Sequence, residues 1–485
     1  MKTPDNRPGN FVVPLFLILI ALSGDLSLAL DRAAASAALK KSVNFFRTKV
    51  GYHGAYLFRY SADLQKQEGE GLAYKTTGWI QPPGTPYVGE AYLEAYRLTG
   101  EPYLLDAANE VADALRLGQL RSGGWDNRFE LDKQHRDKYN FRSGPERPQG
   151  RNQTTFDDNK TQSCLMFLMY LDEQLHFKNP QLSDVIHYSF QKCLAAQYPN
   201  GGWPQRFSEP PNPDDFPIRQ ATYPETWSRK YPKKKYGAYY TLNDNVLSDI
   251  INVLLEAHRI YGDEKLMGAA RRSGDFLLLA QMPAPQPGWA QQYNAHMEPA
   301  WARKFEPPSI TGGESQSAMR SLLKLYRATG DKKYLDPIPT ALTYYRNSLL
   351  PGGNLARFYE LKTNRPLYFT KDYKLTYSAA DAPTHYTFVI KSKLEAIAQE
   401  YKTLRKTPAN QLAPARKPAT YQLNSRLENA VRKVIAELDE RGAWVEKGKL
   451  RYHGADDDTN RVIDTKTFVK RMRILSQYIS VSRDD

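Results

Sequence analysis

The sequence predicts an all-α protein: an α/α toroid built from repeated antiparallel helix pairs, with long functional loops at one end. Three observations lead there. About twelve segments of the chain carry apolar residues at helical spacing, and they fall into consecutive pairs. Each pair ends in an aromatic, mostly glycine-rich loop: Gly-Gly-Trp-Asp-Asn-Arg-Phe at 123–129, Gly-Gly-Trp-Pro-Gln-Arg-Phe at 201–207, Gly-Trp-Ala-Gln-Gln-Tyr at 288–293 and Gly-Gly-Asn-Leu-Ala-Arg-Phe-Tyr at 352–359. The turns inside the pairs also match, as Thr99-Gly100-Glu101, Tyr261-Gly262-Asp263 and Thr329-Gly330-Asp331. Trp125, Trp203 and Trp289 recur at intervals of 78 and 86 residues, a period that fits two helices and a loop. Short turns within a pair make its helices antiparallel neighbours. Such pairs either stack into an open solenoid or close into a ring, and long loops gathered at one end favour the ring.

The elements follow in chain order. Residues 11–22 form one apolar run, preceded by Lys2 and Arg7 and followed by Ser27 and Ala29 at cleavage-site spacing. This reads as a secretory signal peptide over 1–29, so the protein is expected to be secreted or periplasmic, with no membrane association after cleavage. Residues 30–402 form the toroid, 403–419 a linker, and 420–485 a C-terminal helical segment with Trp444 that closes the ring as a degenerate repeat. Helices are expected near 33–48, 86–99, 103–117, 161–175, 181–196, 245–261, 264–280, 314–329, 334–349, 385–401, 422–439 and 465–480. Residues 50–75 alternate aromatic and polar side chains and read as a short hairpin. The charged stretch 132–152 reads as a mobile loop, and the Pro-rich insertion 208–236 as a lid or disordered segment. Its lysines, Lys233 to Lys235, are either a solvated charge run or a face turned to a polyanion.

With 485 residues, 41% of them hydrophobic, the chain can bury a large core, and its net charge of +14 points to an anionic partner. No nucleic-acid-binding pattern is visible. Two cysteines, Cys164 and Cys193, exclude a disulfide scaffold; they can pair across consecutive helices or stay as buried thiols. A monomer is expected.

The chemistry concentrates in the inter-pair loops. Thr-Thr-Phe-Asp-Asp-Asn-Lys-Thr at 154–161 and Thr-Leu-Asn-Asp-Asn at 241–245 each place carboxylates just before a helix. Each alone reads as a helix N-cap; together, Asp157, Asp158 and Asp244 can hold a hard cation such as calcium. Two further loops are cationic, one with Arg303 and Lys304, the other with Arg357, Lys362 and Arg365, followed by Lys371. Arginine forks and a divalent cation both bind carboxylates, so the set suits a substrate with regularly spaced carboxylates.

The succession Thr-Phe-Asp-Asp-Asn-Lys-Thr, Gly-Gly-Trp-Pro-Gln, Leu-Asn-Asp-Asn, Ala-Arg-Lys-Phe-Glu-Pro-Pro-Ser and Ala-Arg-Phe-Tyr-Glu…Thr-Asn-Arg-Pro resembles the pectate lyases of polysaccharide lyase family ten, over about residues 85–400. The resemblance implies an α/α toroid that cleaves polygalacturonate by calcium-assisted β-elimination to 4,5-unsaturated oligogalacturonides. It places Asp157, Asp158 and Asp244 at the metal and Arg303 as catalytic base. Asp157, Asn243, Arg346, Arg357, Arg365 and Lys371 are implied as substrate-binding; Arg346 rests on spacing, and Lys371 stands where an arginine is expected. From the residues alone, Lys304 or Lys371 is the more natural base, because a lysine loses its proton more readily than an arginine. The alternatives are a toroidal glycoside hydrolase using Asp157 or Asp158 with Asp244, and a non-catalytic polyuronate-binding protein.

Overall fold

The computed structural model describes Met1, residues 31–412 and residues 420–482; the signal-peptide reading falls outside them. The helices are α1 (Arg32–Phe45), α2 (Thr85–Thr99), α3 (Pro102–Gly118), α4 (Lys133–Arg136), α5 (Lys160–Gln174), α6 (Pro180–Ala195), α7 (Val246–Tyr261), α8 (Glu264–Ala280), α9 (Gly312–Thr329), α10 (Pro337–Asn347), α11 (Leu394–Lys406), α12 (Ser425–Ala436) and α13 (Thr465–Val481). An inner row runs α13–α2–α5–α7–α9–α11, each packed on the next, with partners such as α3, α6, α8 and α10 outside it. Because α13 packs on both α1 and α2, the C-terminus returns to the first helices. The fold is the expected α/α toroid.

The repeat has a local cause. In the turn after an inner helix, Gly100, Gly262 and Gly330 take left-handed φ of 74°, 66° and 70°, which costs a glycine little. The aspartate that follows Gly262 or Gly330 then caps the next segment, Asp263 accepting from Lys265 N and Asp331 from Lys333 N. At the other end, the indoles of Trp125, Trp203 and Trp289 are buried, donating to Leu115 O, Ser273 Oγ and Leu277 O. Each tryptophan carbonyl accepts from the strand before the next inner helix, at Thr155, Thr241 and Thr311. Short antiparallel ribbons result, Thr155 pairing with Arg206, Thr241 with Gln292 and Thr311 with Phe358. Trp444 donates to Val434 O in the same manner, as its reading as a degenerate repeat expects.

The 50–75 hairpin forms, with Arg59–Ser61 against Gln67–Glu68, and it also pairs with Arg461–Asp464. This sheet ties the two ends of the chain together. Four expectations are corrected. Residues 385–393 are not helical: Val389–Ile390 pairs with Leu355–Ala356, and Phe388 packs on Phe358 and Phe369. Helix α11 runs on to Lys406, four residues into the expected linker, because Leu404 continues the buried stripe of Leu394, Ile397 and Ala398. The 132–152 stretch is packed, with Tyr139 and Phe141 buried and stacked on each other. The 208–236 insertion is strapped down: Phe216 lies on Tyr198, Ala221 N donates to Leu279 O, Trp301 Nε1 donates to Ser228 O, and Arg229 pairs with Glu360. Cys164 and Cys193 are buried free thiols, and burial raises the pKa of both. No described helix is long and apolar enough to cross a membrane.

Candidate active site

The loops at the N-terminal ends of α5 and α7 adopt the same conformation. Each is a single 3₁₀ turn, Asp157–Asn159 and Asn243–Asn245, and the two turns touch. Asp158 and Asn159 have φ of 50° and 58°, and Asp244 and Asn245 have 49° and 60°. Asp and Asn tolerate this left-handed region better than other side chains, which explains the residue types. The helix-cap reading is not met: neither Asn159 nor Asn245 caps its helix with a side-chain hydrogen bond. The turns instead bring one carboxylate oxygen each from Asp157, Asp158 and Asp244 to within 4.8 Å of one another. The positive ends of two helix dipoles lie beneath them.

Each side of this cluster is braced. Asp157 accepts from Gln205 Nε2 at 3.0 Å and Arg206 Nη2 at 3.3 Å. Lys160, itself buried, reaches Asp158 at 3.2 Å and Asp157 at 3.7 Å. On the far side, Arg303 Nη2 donates to Asp244 Oδ2 at 3.0 Å and lies 2.6 Å from Glu306 Oε1. Glu306 is fully buried; it also accepts from Tyr386 OH at 3.0 Å and from the Arg303 amide at 3.0 Å. The Arg357 guanidinium lies over the Tyr386 ring at 4.6 Å and donates to its hydroxyl.

Electrostatics follow from this packing. Burial pushes the Asp244 carboxyl up to about 7; Arg303 pulls against that, while Asp157, Asp158 and Glu306 add to it. For Arg303, burial alone favours the neutral form, but the Glu306 bond and the charges of Glu306 and Asp244 outweigh it and raise its pKa. The guanidinium is therefore held charged in this arrangement. Asp157, Asp158, Asp244 and Glu306 are four carboxylates facing three cations, Lys160, Arg206 and Arg303. The excess negative charge, the oxygen-only donors and oxygens within 4.8 Å of one another, close enough to share one ion at calcium–oxygen bonds of about 2.4 Å, all fit a hard divalent cation.

The structure thus brings together Asp157, Asp158, Asp244, Arg303 and, one layer away, Arg357. Asn243 joins the set but differs from its expected role. It is buried, accepting from Gln291 Nε2 and donating to Glu306, so it braces the site instead of facing a ligand. Three cations expected there are engaged elsewhere. Arg346, at the end of α10, is paired with Glu395 of α11; Arg365 lies over the Tyr377 ring at 3.5 Å; Lys371 pairs with Asp381. Lys304 sits over the Tyr373 ring. Sequence reasoning missed Glu306, Gln205, Gln291, Lys160 and Tyr386. A signal existed for Gln205 and Gln291, which stand two residues after Trp203 and Trp289 and each brace the turn opposite.

A family model described as pectic acid lyase matches residues 119–354, which hold both aspartate turns and Arg303. The family likeness drawn from the motifs is borne out over that stretch. Among solved structures, a family 10 polysaccharide lyase from Cellvibrio cellulosa, a mutant in complex with trigalacturonic acid, is 19% identical with a TM-score of 0.44, covering 66% of this chain and 98% of its own. A sugar epimerase from a ruminal bacterium is 12% identical with a TM-score of 0.45, covering 94% and 100%. A cellobiose 2-epimerase from Bacillus thermoamylovorans is 12% identical at 0.42, covering 92% and 98%. No curated protein matches the chain.

Proposed function

We propose that this chain, a polysaccharide lyase, is exported and cleaves polygalacturonate by calcium-assisted β-elimination. The observation that carries the reading is the meeting of three aspartates from two repeats with Arg303 directly bonded to one of them. Asp157, Asp158 and Asp244 are the residues that would hold calcium, whose charge at the uronate carboxylate acidifies the C5 proton.

The protein's own groups do the rest. Arg303 stands at the carboxylate cluster and is the residue we place at C5. It takes the proton there; the C5–H electron pair becomes the C4–C5 double bond as the C4–O bond breaks, and the departing oxygen takes a proton from solvent. To act as base, Arg303 must first be released by Asp244 and Glu306, which keep it charged, and give up one guanidinium proton to solvent, so that a neutral nitrogen receives the C5 proton. Glu306, fixed by Tyr386 and Asn243, sets the resting direction of the guanidinium before that release. Arg357 adds positive charge one layer behind, where it favours a bound carboxylate and the negative charge that develops on it.

A hydrolase is disfavoured by the same geometry. Its two carboxyl groups stand about 5–5.5 Å apart in retaining enzymes and about 6.5–9.5 Å in inverting ones, with space for sugar or water between. Here three carboxylates converge instead of two facing each other, one oxygen of each within 4.8 Å of the others, and Asp157 is already engaged by Gln205, Arg206 and Lys160. Mass spectrometry of digested polygalacturonate tests the reading. Unsaturated oligomers, each lighter by one water than a hydrolysis product, are expected beside the saturated fragment from each original non-reducing end; products that are all saturated overturn elimination, and an intact polymer overturns catalysis.

A further inference from the structure

The insertion at 208–236 leaves the mouth of the toroid, is pinned on its far side, and comes back beside the aspartate cluster. Its anchors are spread out: Phe216 on Tyr198, Ala221 on Leu279, Ser228 under the Trp301 indole, and Arg229 on Glu360. The returning end is fixed as well, since Arg206 N donates to Gly237 O and Tyr198 OH donates to Ala238 O. A chain held at both ends presents its intervening side chains in a set direction. The next residues in line are Lys233, Lys234 and Lys235.

These lysines line a cavity of about 730 Å³, whose wall is completed by Arg206, Gln205 and Tyr236. All three are exposed, and none makes an ion pair among the described residues. The cavity adjoins the candidate active site, because Gln205 and Arg206 in its wall are the side chains that hold Asp157. Tyr236, half-buried in the cavity wall beside Lys235, also feels the charges of Arg303, Glu306, Arg206 and Asp157. One carboxylate, Glu209, also lines the cavity; four cations outnumber it.

From this juxtaposition we infer that the strap forms an additional subsite for the anionic polymer. There Lys233, Lys234 and Lys235 take uronate carboxylates of sugar residues beyond those at the cleavage point, and Tyr236 offers a ring face to a sugar. The inference rests on the polyuronate reading above. Unpaired lysines on a pinned strap bind a carboxylate with little ordering cost in the backbone, unlike the same residues on a free loop. Their number favours a polymer with a charge on every unit over a single small acid. The contribution is electrostatic and partly solvated, so it falls with salt.

Steady-state kinetics on polygalacturonate at low and high salt test this, with wild type, the triple variant Lys233→Ala/Lys234→Ala/Lys235→Ala and the corresponding triple Glu variant. The side chains are exposed and unpaired, so thermal melts of the variants should match wild type. For the Ala variant KM should rise roughly tenfold at low salt, from three exposed charge contacts of modest individual worth. The rise should shrink at high salt, be larger for the Glu variant, and leave kcat within about twofold. An active wild type with KM unchanged in both variants overturns the subsite alone. A wild type that releases no unsaturated product overturns the functional reading, and the subsite falls with it.

Discussion

At Asp244, burial and charge pull in opposite directions. The carboxyl is pushed up to about 7, above its ordinary value near 4, by burial and then by the neighbouring carboxylates, against the pull of Arg303. A folded-state pKa above the unfolded one means that the folded protein binds the extra proton between those two values. Stability of the metal-free protein therefore falls as pH rises from about 4 to about 7 through this group. A cation at the cluster competes with the same proton. Calcium should accordingly raise Tm more at pH 8 than at pH 6, measured against melts in chelator; equal shifts at the two pH values would remove Asp244 from the cation site. At Arg303, substitution by alanine should lower kcat by about 10²–10⁴-fold, as expected for loss of a positioned proton acceptor, and should lower Tm as well, because the buried Glu306 loses its cation. Near-wild-type turnover of Arg303→Ala would show that this residue is not the base. The paired aspartates were legible in the sequence because they sit in a recurring motif; Arg303 was singled out only through the family resemblance, the residues alone pointing to Lys304 or Lys371. The contacts of Arg346, Arg365 and Lys371 were not, because loop position along the chain does not say which way a side chain turns. Each of those three found an acid or ring nearby instead.

At the level of elements, the Gly-Gly-Trp loops set where the mouth residues stand. Gly201 has φ of 86°, and a Cβ there would lie 1.9 Å from the carbonyl oxygen of Arg272 on α8. Gly201→Ala should thus cost more than the about 1 kcal/mol of a strained φ alone, and should lower both Tm and activity by shifting Gln205 and Arg206 away from Asp157. Unchanged melting and activity would mean that the loop does not position the site. Helix periodicity found the twelve long helices among the described residues, most ends falling within three residues of those expected. It failed at 385–393, where an apolar run that includes Tyr386, Phe388 and Val389 packs on the strands at 355–359 and is not helical. Short apolar runs of β-branched and aromatic residues do not reveal their state by spacing, and here cross-strand packing decided it. The strap was hardest to read. Its anchors, Trp301 and Glu360, lie far along the chain, and nothing local in a Pro-rich stretch announces them.

On the scale of the whole molecule, the two ends of the chain hold each other. Helix α13 packs on α1 and α2, Arg59–Ser61 pairs with Arg461–Asp464, and Phe46 stacks on Phe468 at 3.7 Å. Removing residues 420–485 would uncover these faces at once, so the truncated chain should give no cooperative melt and should aggregate. A soluble, active truncation would show that the C-terminal segment is an appendage and not part of the ring. The repeat made the toroid legible from sequence; the closing sheet was only half legible, because the 50–75 hairpin was visible but its partner at 461–464 was not. The ring matters to function because it carries the α5 and α7 turns to one point, where their aspartates meet Arg303. The most direct test of that assembly is ultraviolet absorbance during incubation with polygalacturonate, in chelator and then with calcium restored. The account predicts no rise in chelator and a steady rise from C4–C5 double bonds on adding calcium. A rise that chelator leaves untouched would contradict the cation role of the aspartates, and no rise in either condition would contradict the lyase reading itself.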